Sequence, residues 1–224
     1  MESIIQDVKS GGIVSAYIKA PFDEGKEELE KNGYKIISLE QNAKLRMQEG
    51  RGAFVSQNGN WVREGVLYVP NKGIFLTKNS PIMENAKEAT NIERNRTGYL
   101  KKENEFRLTE EQVEKALEDS IEICDEPIPT NRFGDEMTIY AFGNSAKDYG
   151  LFLREGGIME FIPFIQDIEN PPYARQVRFC ELGKNFKSCM DSTGFIRKLS
   201  YCDIVRGVRE DSKSGSGIEK ILKQ

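Results

Sequence analysis

The run from Met137 to Ile165, MTIYAFGNSAKDYGLFLREGGIMEFIPFI, is the most apolar stretch of the sequence and constrains the fold most. Its first part, MTIYAF, is rich in β-branched and aromatic residues, which are typical of strands, and Gly143 follows it. Further along, Gly156 and Gly157 separate two apolar segments, and paired glycines supply the positive φ angles of a tight hairpin turn. We therefore predict central strands over residues 137–165. A helix is the competing assignment for the hairpin, and both assignments place this stretch in the core.

The first third of the sequence alternates strand and helix patterns. β-Branched residues predict a strand over 13–20, and the acidic first turn of DEGKEELEKNG predicts a helix over 23–32 that ends at Gly33. A second strand is predicted over 34–38, and Ser38 is a typical N-cap for the helix that follows it. Two strands joined by one helix form a βαβ unit, so we expect these strands to be parallel.

Turn and cap residues divide the later segments into hairpins and helices. Asn58-Gly59 accepts the positive φ angles of a type I′ turn, so residues 53–78 are predicted to form a three-stranded meander with Trp61 in the core. Thr109 and Gln112 form a capping box that begins a helix. Strand patterns dominate the C-terminal third of the chain. We predict an α+β protein with a mixed to mostly antiparallel sheet, built from hairpins and flanked by several helices.

The chain of 224 residues has room for one large domain or two small ones. The polar span RTGYLKKENEF is the best candidate boundary, and SKSGSG near the C-terminus has the composition of a flexible linker. The prediction is an N-terminal α+β lobe over 1–102, a C-terminal α+β lobe over 103–211 with the central strands 137–165, and a flexible tail over 212–224. The alternative is a single domain over 1–211.

The sequence contains no histidine, and this excludes several classes of enzyme mechanism. Serine–histidine–aspartate hydrolysis, cysteine–histidine hydrolysis, histidine-ligated zinc chemistry and phosphohistidine transfer all need an imidazole. The sequence also has no P-loop, no GxGxxG after a strand and no GxSxG elbow. An enzyme built from this chain must move protons with carboxylates, lysine, tyrosine, cysteine or metal-bound water, unless a partner chain supplies the base.

The four cysteines, Cys124, Cys180, Cys189 and Cys202, form no CxxC pair, so the paired ligands of a zinc site are not indicated. No run approaches the ~20 apolar residues that span a bilayer, and the first 20 residues do not resemble an export signal. We expect a cytoplasmic protein with reduced thiols and no membrane contact. The sequence predicts no oligomeric state.

Charged side chains gather just before the central stretch, in a loop that contains two prolines and a glycine. Arg132, Asp135 and Glu136 lie together there, and neighbouring carboxylates bind hard cations such as Mg²⁺. With Asp148 or Glu160 added, they are the candidate catalytic residues of a carboxylate- and metal-dependent enzyme acting on phosphoesters or nucleotides. A polar turn without a ligand is the simpler interpretation. Mg²⁺ is the only cofactor considered, and only under this hypothesis.

Charge is segregated along the chain. Residues 103–170 carry 17 acidic and 5 basic side chains, whereas the last 54 residues carry 11 basic and 6 acidic ones. Basic and aromatic residues alternate along the strands predicted in residues 173–209, and this pattern could hold an extended nucleic acid by phosphate contact and stacking. A half-buried sheet with outward-facing arginines gives the same pattern. The candidate nucleic-acid-binding residues are Arg175, Arg178, Arg197, Lys198, Arg206 and Arg209.

The helix that begins after Thr109 has one apolar face and an opposite face that is almost wholly acidic. Such a face normally lies in solvent, but it also fits a basic partner protein. Three hypotheses therefore stay open: a binding protein that contacts nucleic acid or another anionic partner, a histidine-independent, divalent-metal-dependent enzyme, and a subunit of a protein complex. The binding protein is the leading hypothesis because of the charge segregation.

Overall fold

The computed structural model describes residues 3–10, 13–95, 105–165, 172–182, 187–193 and 198–210. Its strands are β1 (Ile5–Ser10), β2 (Ile13–Ala20), β3 (Lys35–Ile36), β4 (Asn60–Val69), β5 (Gly73–Thr77), β6 (Phe106–Arg107), β7 (Ser120–Glu122), β8 (Ile128–Pro129), β9 (Glu160–Phe164), β10 (Tyr173–Phe179), β11 (Lys187–Asp191) and β12 (Asp203–Glu210). Its α-helices are α1 (Phe22–Lys31), α2 (Leu39–Glu49), α3 (Phe54–Gln57), α4 (Pro81–Glu84), α5 (Ala86–Arg94), α6 (Glu110–Leu117), α7 (Glu136–Phe142) and α8 (Ala146–Glu155).

One mixed sheet organises the fold, with the main strand order β1-β2-β12-β4-β10-β11-β9-β8. The strand β12 lies between β2 and β4, because it pairs antiparallel with β2 from Ile13↔Glu210 to Ala20↔Asp203 and parallel with β4 at Val205↔Trp61. The strand β10 pairs antiparallel with the other edge of β4, and β11 pairs in parallel with β9. Helices flank this sheet, so the predicted α+β class with a mixed sheet is confirmed.

Two apolar clusters cover the two faces of the central strands. Alternate residues of β4 enter different clusters: Val66 and Tyr68 enter one, and Leu67 and Val69 enter the other. This alternation follows because successive side chains of a strand point to opposite faces. The cluster of Val66 contains residues of α2, α7 and α8, whereas the cluster of Leu67 contains residues of α1, α5 and α6. Trp61 belongs to the second cluster, which confirms the prediction that it lies in the core.

The prediction of strands over residues 137–155 is wrong, because this segment forms α7 and α8. Asp135 caps the first helix by accepting a hydrogen bond from the backbone nitrogen of Thr138 at 2.9 Å. Thr138, Ala141 and Phe142 are buried while Ile139 is exposed, which is the spacing of a helix with one inward face. Tertiary packing has therefore overridden the β propensity of MTIYAF. Within the predicted central strands, only Glu160–Phe164 is a strand.

Two capping signals predicted the starts of helices correctly. Ser38 and Thr109 both form capping boxes with the residue three positions later, as expected. The predicted strand over 13–20 matches β2, and the helix predicted over 23–32 matches α1 and ends beside Gly33, whose φ is 78°. The strands β2 and β3 run in the same direction, as predicted, because both pair antiparallel with β12, but they do not pair with each other.

The predicted meander over 53–78 is correct only in its second half. Residues Phe54–Gln57 form α3, so Asn58-Gly59 does not connect two strands. The hairpin of β4 and β5 is present, and Asn71 has the positive φ of 63° in its turn. Trp61 is therefore the second residue of a strand that begins at Asn60, shortly after α3 ends at Gln57.

Strands from both predicted lobes alternate in the same sheet, since β12 of the C-terminal lobe separates β2 from β4 of the N-terminal lobe. The proposed boundary near 96–106 does not separate two sheets, and residues 96–104 and the tail 212–224 lie outside the described residues. No helix in the described part of the chain is both long and apolar enough to cross a membrane.

Candidate functional site

Three chain segments meet at one end of the central strands. The end of β10 lies beside the start of β4, with Phe179 opposite Asn60 and Arg178 opposite Trp61. The start of β12 lies on the other side of β4, because these two strands are parallel. The segments that precede β4, follow β10 and precede β12 are therefore brought together by the strand directions alone.

Arg178 contacts the segment before β4, the segment after β10 and the first residue of β12. Its Nε donates to Oδ2 of Asp203 at 2.8 Å, and its Nη1 donates to Oε2 of Glu181 at 3.2 Å. Gly59 lies against the same guanidinium, since a Cβ added there would be 2.5 Å from Nη1. The side chains of Arg178 and Asp203 are both buried, so this ion pair is shielded from solvent and fixes the bases of the segments.

We use the name Arg178 surface for residues 57–59, 181–182 and 198–202, which surround this ion pair. Its exposed side chains are of mixed chemistry and include Gln57, Glu181 and Tyr201. Tyr201 is 47% exposed, and Nζ of Lys198 lies 5.5 Å from the centre of its ring. Tyrosine is a common contact residue in protein recognition, because it combines an aromatic face with a hydroxyl group.

Buried anchors hold the segments of the Arg178 surface in place. The carbonyl of Leu199 accepts from the backbone nitrogen of Phe22 at 2.8 Å, and its own nitrogen donates to the carboxylate of Glu93. On the other side, the nitrogen of Leu182 donates to the carbonyl of Ser56 at 2.8 Å. The exposed residues thus project from backbone that is bonded to the core.

Cys180 and Cys189 form a disulfide at the edge of this surface, which corrects the expectation that the thiols are reduced. Cys124 and Cys202 are free and exposed. The carbonyl of Cys180 accepts a hydrogen bond of 2.7 Å from Nη2 of Arg46, a side chain that is fully buried. Arg46 also donates to the carbonyl of Val55 and lies over the ring of Phe179.

The sequence pattern did not identify Arg46, although a signal was present. Arg46 follows Leu39 by seven positions and Ala43 by three, so helical spacing places it on the buried face of α2. Burial lowers the pKa of its guanidinium, while the nearby Tyr149 hydroxyl raises it. Carbonyls and aromatic rings take the role that a carboxylate plays beside Arg178.

The predicted basic strand residues do not form one surface, because three of the five that the structure describes are buried in the protein. Arg175, Arg178 and Arg206 are buried. Arg175 pairs with Glu93 at 2.9 Å and also with Glu105, and Arg206 pairs with Asp7 at 2.8 Å. Acidic side chains of the fold therefore pair with guanidinium groups that were expected to contact phosphate.

The remaining basic candidates are far apart along β12 or undescribed. Lys198 lies before the start of this strand, on the Arg178 surface, and Arg209 lies near its other end. Arg209 stacks on the ring of Tyr34 at 4.5 Å. Arg197 lies outside the described residues. Nucleic-acid binding itself stays a prediction.

The candidate catalytic residues are placed at the start of α7. Asp135 is its N-cap, and its carboxylate accepts from both the nitrogen and the hydroxyl of Thr138, at 2.9 and 2.6 Å. Glu136 and Arg132 are exposed. Among the described residues, no three cysteine, aspartate or glutamate side chains are grouped as they would be in a metal site. The magnesium-dependent enzyme stays a prediction, but Asp135 already has a structural role.

Glu64 is a buried carboxyl group with a strongly raised pKa, and the sequence analysis missed it. It is 2% exposed in β4, and its Oε2 accepts from the backbone nitrogen of Leu39 at 3.0 Å. Burial raises the pKa of Glu64 to about 7, because water no longer stabilises its charge, while Arg63 and Lys78 act in the opposite direction. A single acid inside the apolar run WVREGVLYV was the available signal.

Comparison with known proteins identifies the fold but no family. A solved structure described as "Accommodation of massive sequence variation in Nanoarchaeota by the C-type lectin fold" aligns with a TM-score of 0.60 and 11% sequence identity. The alignment covers 88% of this chain and 96% of that chain. No protein-family model and no curated protein matches the sequence. At this identity, the likeness concerns the fold alone.

Proposed function

We propose that this chain, which has a C-type lectin fold, is a binding protein and that its Arg178 surface recognises the ligand. The observation that carries the proposal is the buried ion pair of Arg178 and Asp203, which fixes the bases of three segments while their outer side chains stay exposed. Recognition residues commonly lie on such segments, held by a rigid scaffold.

The structural neighbour supports this reading of the scaffold. In that protein, the C-type lectin fold accommodates massive sequence variation in Nanoarchaeota. A fold that accommodates variation needs a core whose stability does not depend on the varied side chains. In this chain, the contacts of Arg178, Leu199 and Leu182 hold the surface segments through backbone and interior groups. The exposed side chains of these segments are therefore not needed for those contacts.

The exposed chemistry of the Arg178 surface favours a protein ligand over a polyanion. Lys198 is accompanied by the acidic Glu181, and Tyr201 offers an aromatic face with a hydroxyl group. Because this surface exposes a tyrosine and is not strongly basic, it resembles protein interfaces more than the surfaces that bind nucleic acid. Nucleic acid therefore becomes the alternative ligand, which the salt dependence described below tests.

The predicted cytoplasmic location fits this proposal less well than an oxidising compartment. Disulfides persist in oxidising environments and are rare in the reducing cytoplasm of mesophiles. The Cys180–Cys189 bond lies directly beside the proposed recognition surface. In an oxidising compartment the disulfide would stay intact, and the Arg178 surface would keep the arrangement seen in the structure.

A photo-crosslinking experiment tests the proposal. The photoreactive amino acid p-benzoylphenylalanine replaces Tyr201 in one variant and the exposed Lys35 of β3 in the control, because Lys35 pairs with Val208 near the other end of β12. A native extract is irradiated with each variant. We expect a specific adduct from position 201 alone, and equal adducts from both positions would contradict the proposal.

The captured ligand is then purified and its affinity measured. Lys198→Ala should weaken binding by about tenfold, as expected for one contact worth about 1.4 kcal/mol. Arg209→Ala is the matched control. It also removes a positively charged side chain that lies beside a tyrosine, but at the other end of β12. Binding that resists ~0.5 M salt supports a protein ligand, whereas a steep loss would favour nucleic acid.

A further inference from the structure

We propose that the Cys180–Cys189 disulfide is a redox-controlled clasp on the Arg178 surface, so that the oxidised protein binds its ligand and the reduced protein does not. The inference rests on the proposed function for its effect on binding. The clasp itself is a property of the sheet and can be tested without a ligand.

The disulfide lies where the sheet is held together by few backbone contacts. The strands β10 and β11 share only the pairs Arg178↔Asp191 and Phe179↔Met190 among the described residues. One further hydrogen bond joins the nitrogen of Cys180 to the carbonyl of Cys189 at 2.9 Å. By comparison, β11 pairs with β9 from its first residue to its last. The covalent bond therefore secures the junction between the central strands and the β11-β9-β8 edge.

Cys180 also connects this junction to the proposed recognition surface. The next two residues are Glu181, which binds Arg178, and Leu182, which is bonded to Ser56. Arg46 holds the carbonyl of Cys180 from the interior. A change in the position of Cys180 would therefore move both Glu181 and the contact with the segment before β4.

The disulfide is accessible to a reductant on one side. Cys180 is buried, but Cys189 is only partly buried. The thiolate of a dithiol reductant attacks Sγ of Cys189, the sulfur–sulfur bond breaks, and Sγ of Cys180 leaves as a thiolate that takes up a proton. The second thiol of the reductant then displaces Cys189 as a thiol. Two electrons and two protons pass from the dithiol to the protein, and the reductant becomes a cyclic disulfide.

The first arm of the test measures backbone hydrogen exchange by mass spectrometry with and without dithiothreitol. We expect reduction to accelerate exchange by about tenfold in segments 180–182 and 188–191, because these amides open locally without unfolding the sheet. Exchange in β2, β4 and β12 should not change. Unchanged exchange in segments 180–182 and 188–191 would overturn the proposal, and so would equal acceleration throughout the protein.

Cysteine variants separate the disulfide from other effects of the reductant. Cys180→Ser with Cys189→Ser should show the exchange of the reduced protein under both conditions. Cys124→Ser with Cys202→Ser removes the two free thiols. In this variant, dithiothreitol should accelerate hydrogen exchange in the same segments as in the original protein. Normal exchange in β4 and β12 confirms that each variant is folded. A response that follows the free thiols would overturn the proposal.

The second arm repeats the crosslinking from position 201 in the presence of dithiothreitol. Loss of the adduct together with faster exchange in segments 180–182 and 188–191 supports the clasp. An adduct that persists after proven reduction overturns its control of binding. If no adduct forms in either state, the proposed function fails, and the exchange measurement alone decides whether the disulfide is a clasp.

Discussion

The guanidinium of Arg178 reaches across the start of β4 to Asp203, with 2.8 Å between Nε and Oδ2. The two residues belong to β10 and β12, and these strands are separated by β4 in the sheet. Gly59 lies beneath the guanidinium immediately before β4. One buried ion pair therefore connects strands that share no backbone hydrogen bond.

Breaking this pair should destabilise the protein strongly. Arg178→Met removes the guanidinium that donates to the buried carboxylate of Asp203, so we expect a loss of about 3–5 kcal/mol in the free energy of unfolding. Urea denaturation measures the loss. Arg178→Met combined with Asp203→Asn should recover much of it, because a neutral amide then replaces the buried carboxylate.

The more exposed pair Lys26–Glu30 is the control for this experiment. Its nitrogen and oxygen are also 2.8 Å apart, but 18% of the lysine side chain and 46% of the glutamate side chain are exposed, against 9% of each side chain in the Arg178–Asp203 pair. Lys26→Met should change the free energy of unfolding by about 0.5 kcal/mol or less. Similar losses at the two pairs would show that burial does not matter at Arg178.

Gly59 should not tolerate a side chain. A Cβ at this position would lie 2.5 Å from Nη1 of Arg178, so Gly59→Ala must displace the guanidinium and should destabilise the protein by about 1–3 kcal/mol. Gly52→Ala is the control, because no atom lies within 4 Å of its added Cβ. Gly59→Ala should destabilise the Arg178→Met variant less than it destabilises the original protein. Thermal unfolding of the original protein, the two single variants and the double variant measures this coupling. Additive losses would contradict it.

Glu64 should make stability depend on pH near neutrality. Its pKa is raised from 4.5 to about 7 in the folded state, so the folded protein holds the proton more tightly than the unfolded chain does. Stability from this group is therefore present at low pH and declines as pH rises from about 4.5 to above 7. The difference between the two pKa values corresponds to about 3 kcal/mol in the free energy of unfolding.

The variant Glu64→Gln should remove this decline while keeping an oxygen that accepts from the nitrogen of Leu39. We expect the variant to be more stable than the original protein at pH 8.5, with the difference decreasing towards pH 5. Urea denaturation at several pH values measures it. A difference that is the same at every pH would show that Glu64 does not titrate in this range.

Asp135 should contribute to stability as a helix cap. Asp135→Ala removes the acceptor for the nitrogen of Thr138 and should cost about 1 kcal/mol, whereas Asp135→Asn should be nearly neutral because asparagine also caps helices. Glu136→Gln is the exposed control and should have little effect. The same variants test the enzyme hypothesis, since loss of magnesium-dependent turnover in the folded Asp135→Asn protein would give this residue a catalytic role as well.

Local signals in the sequence predicted the boundaries of several elements but not the central ones. Ser38 and Thr109 were recognised as caps because capping involves residues three positions apart. The segment MTIYAF was assigned to a strand because its intrinsic preference is β, and the helix depends on the Asp135 cap and on burial of Ala141 and Phe142 in the core. Such contacts are not encoded by local preference.

The candidate site was even harder to predict from the sequence, because its contacts join residues that are far apart along the chain. Arg178 was identified as a basic residue on a strand, but its burial depends on a carboxylate 25 positions later. Arg46 and Cys180 are 134 positions apart. Alternating charge and aromatic residues describe an exposed binding strand and an ion-paired interior strand equally well.

The central position of β12 also determines when the fold can form. During synthesis, β2 leaves the ribosome early, but its neighbour in the sheet, residues 203–210, follows only after nearly all other described residues have been made. Contacts between such distant segments close late and slow folding. Until residue 203 has been made, the edge of β2 and the start of β4 lack the strand that later pairs with them, so these edges are open to association with other chains during synthesis.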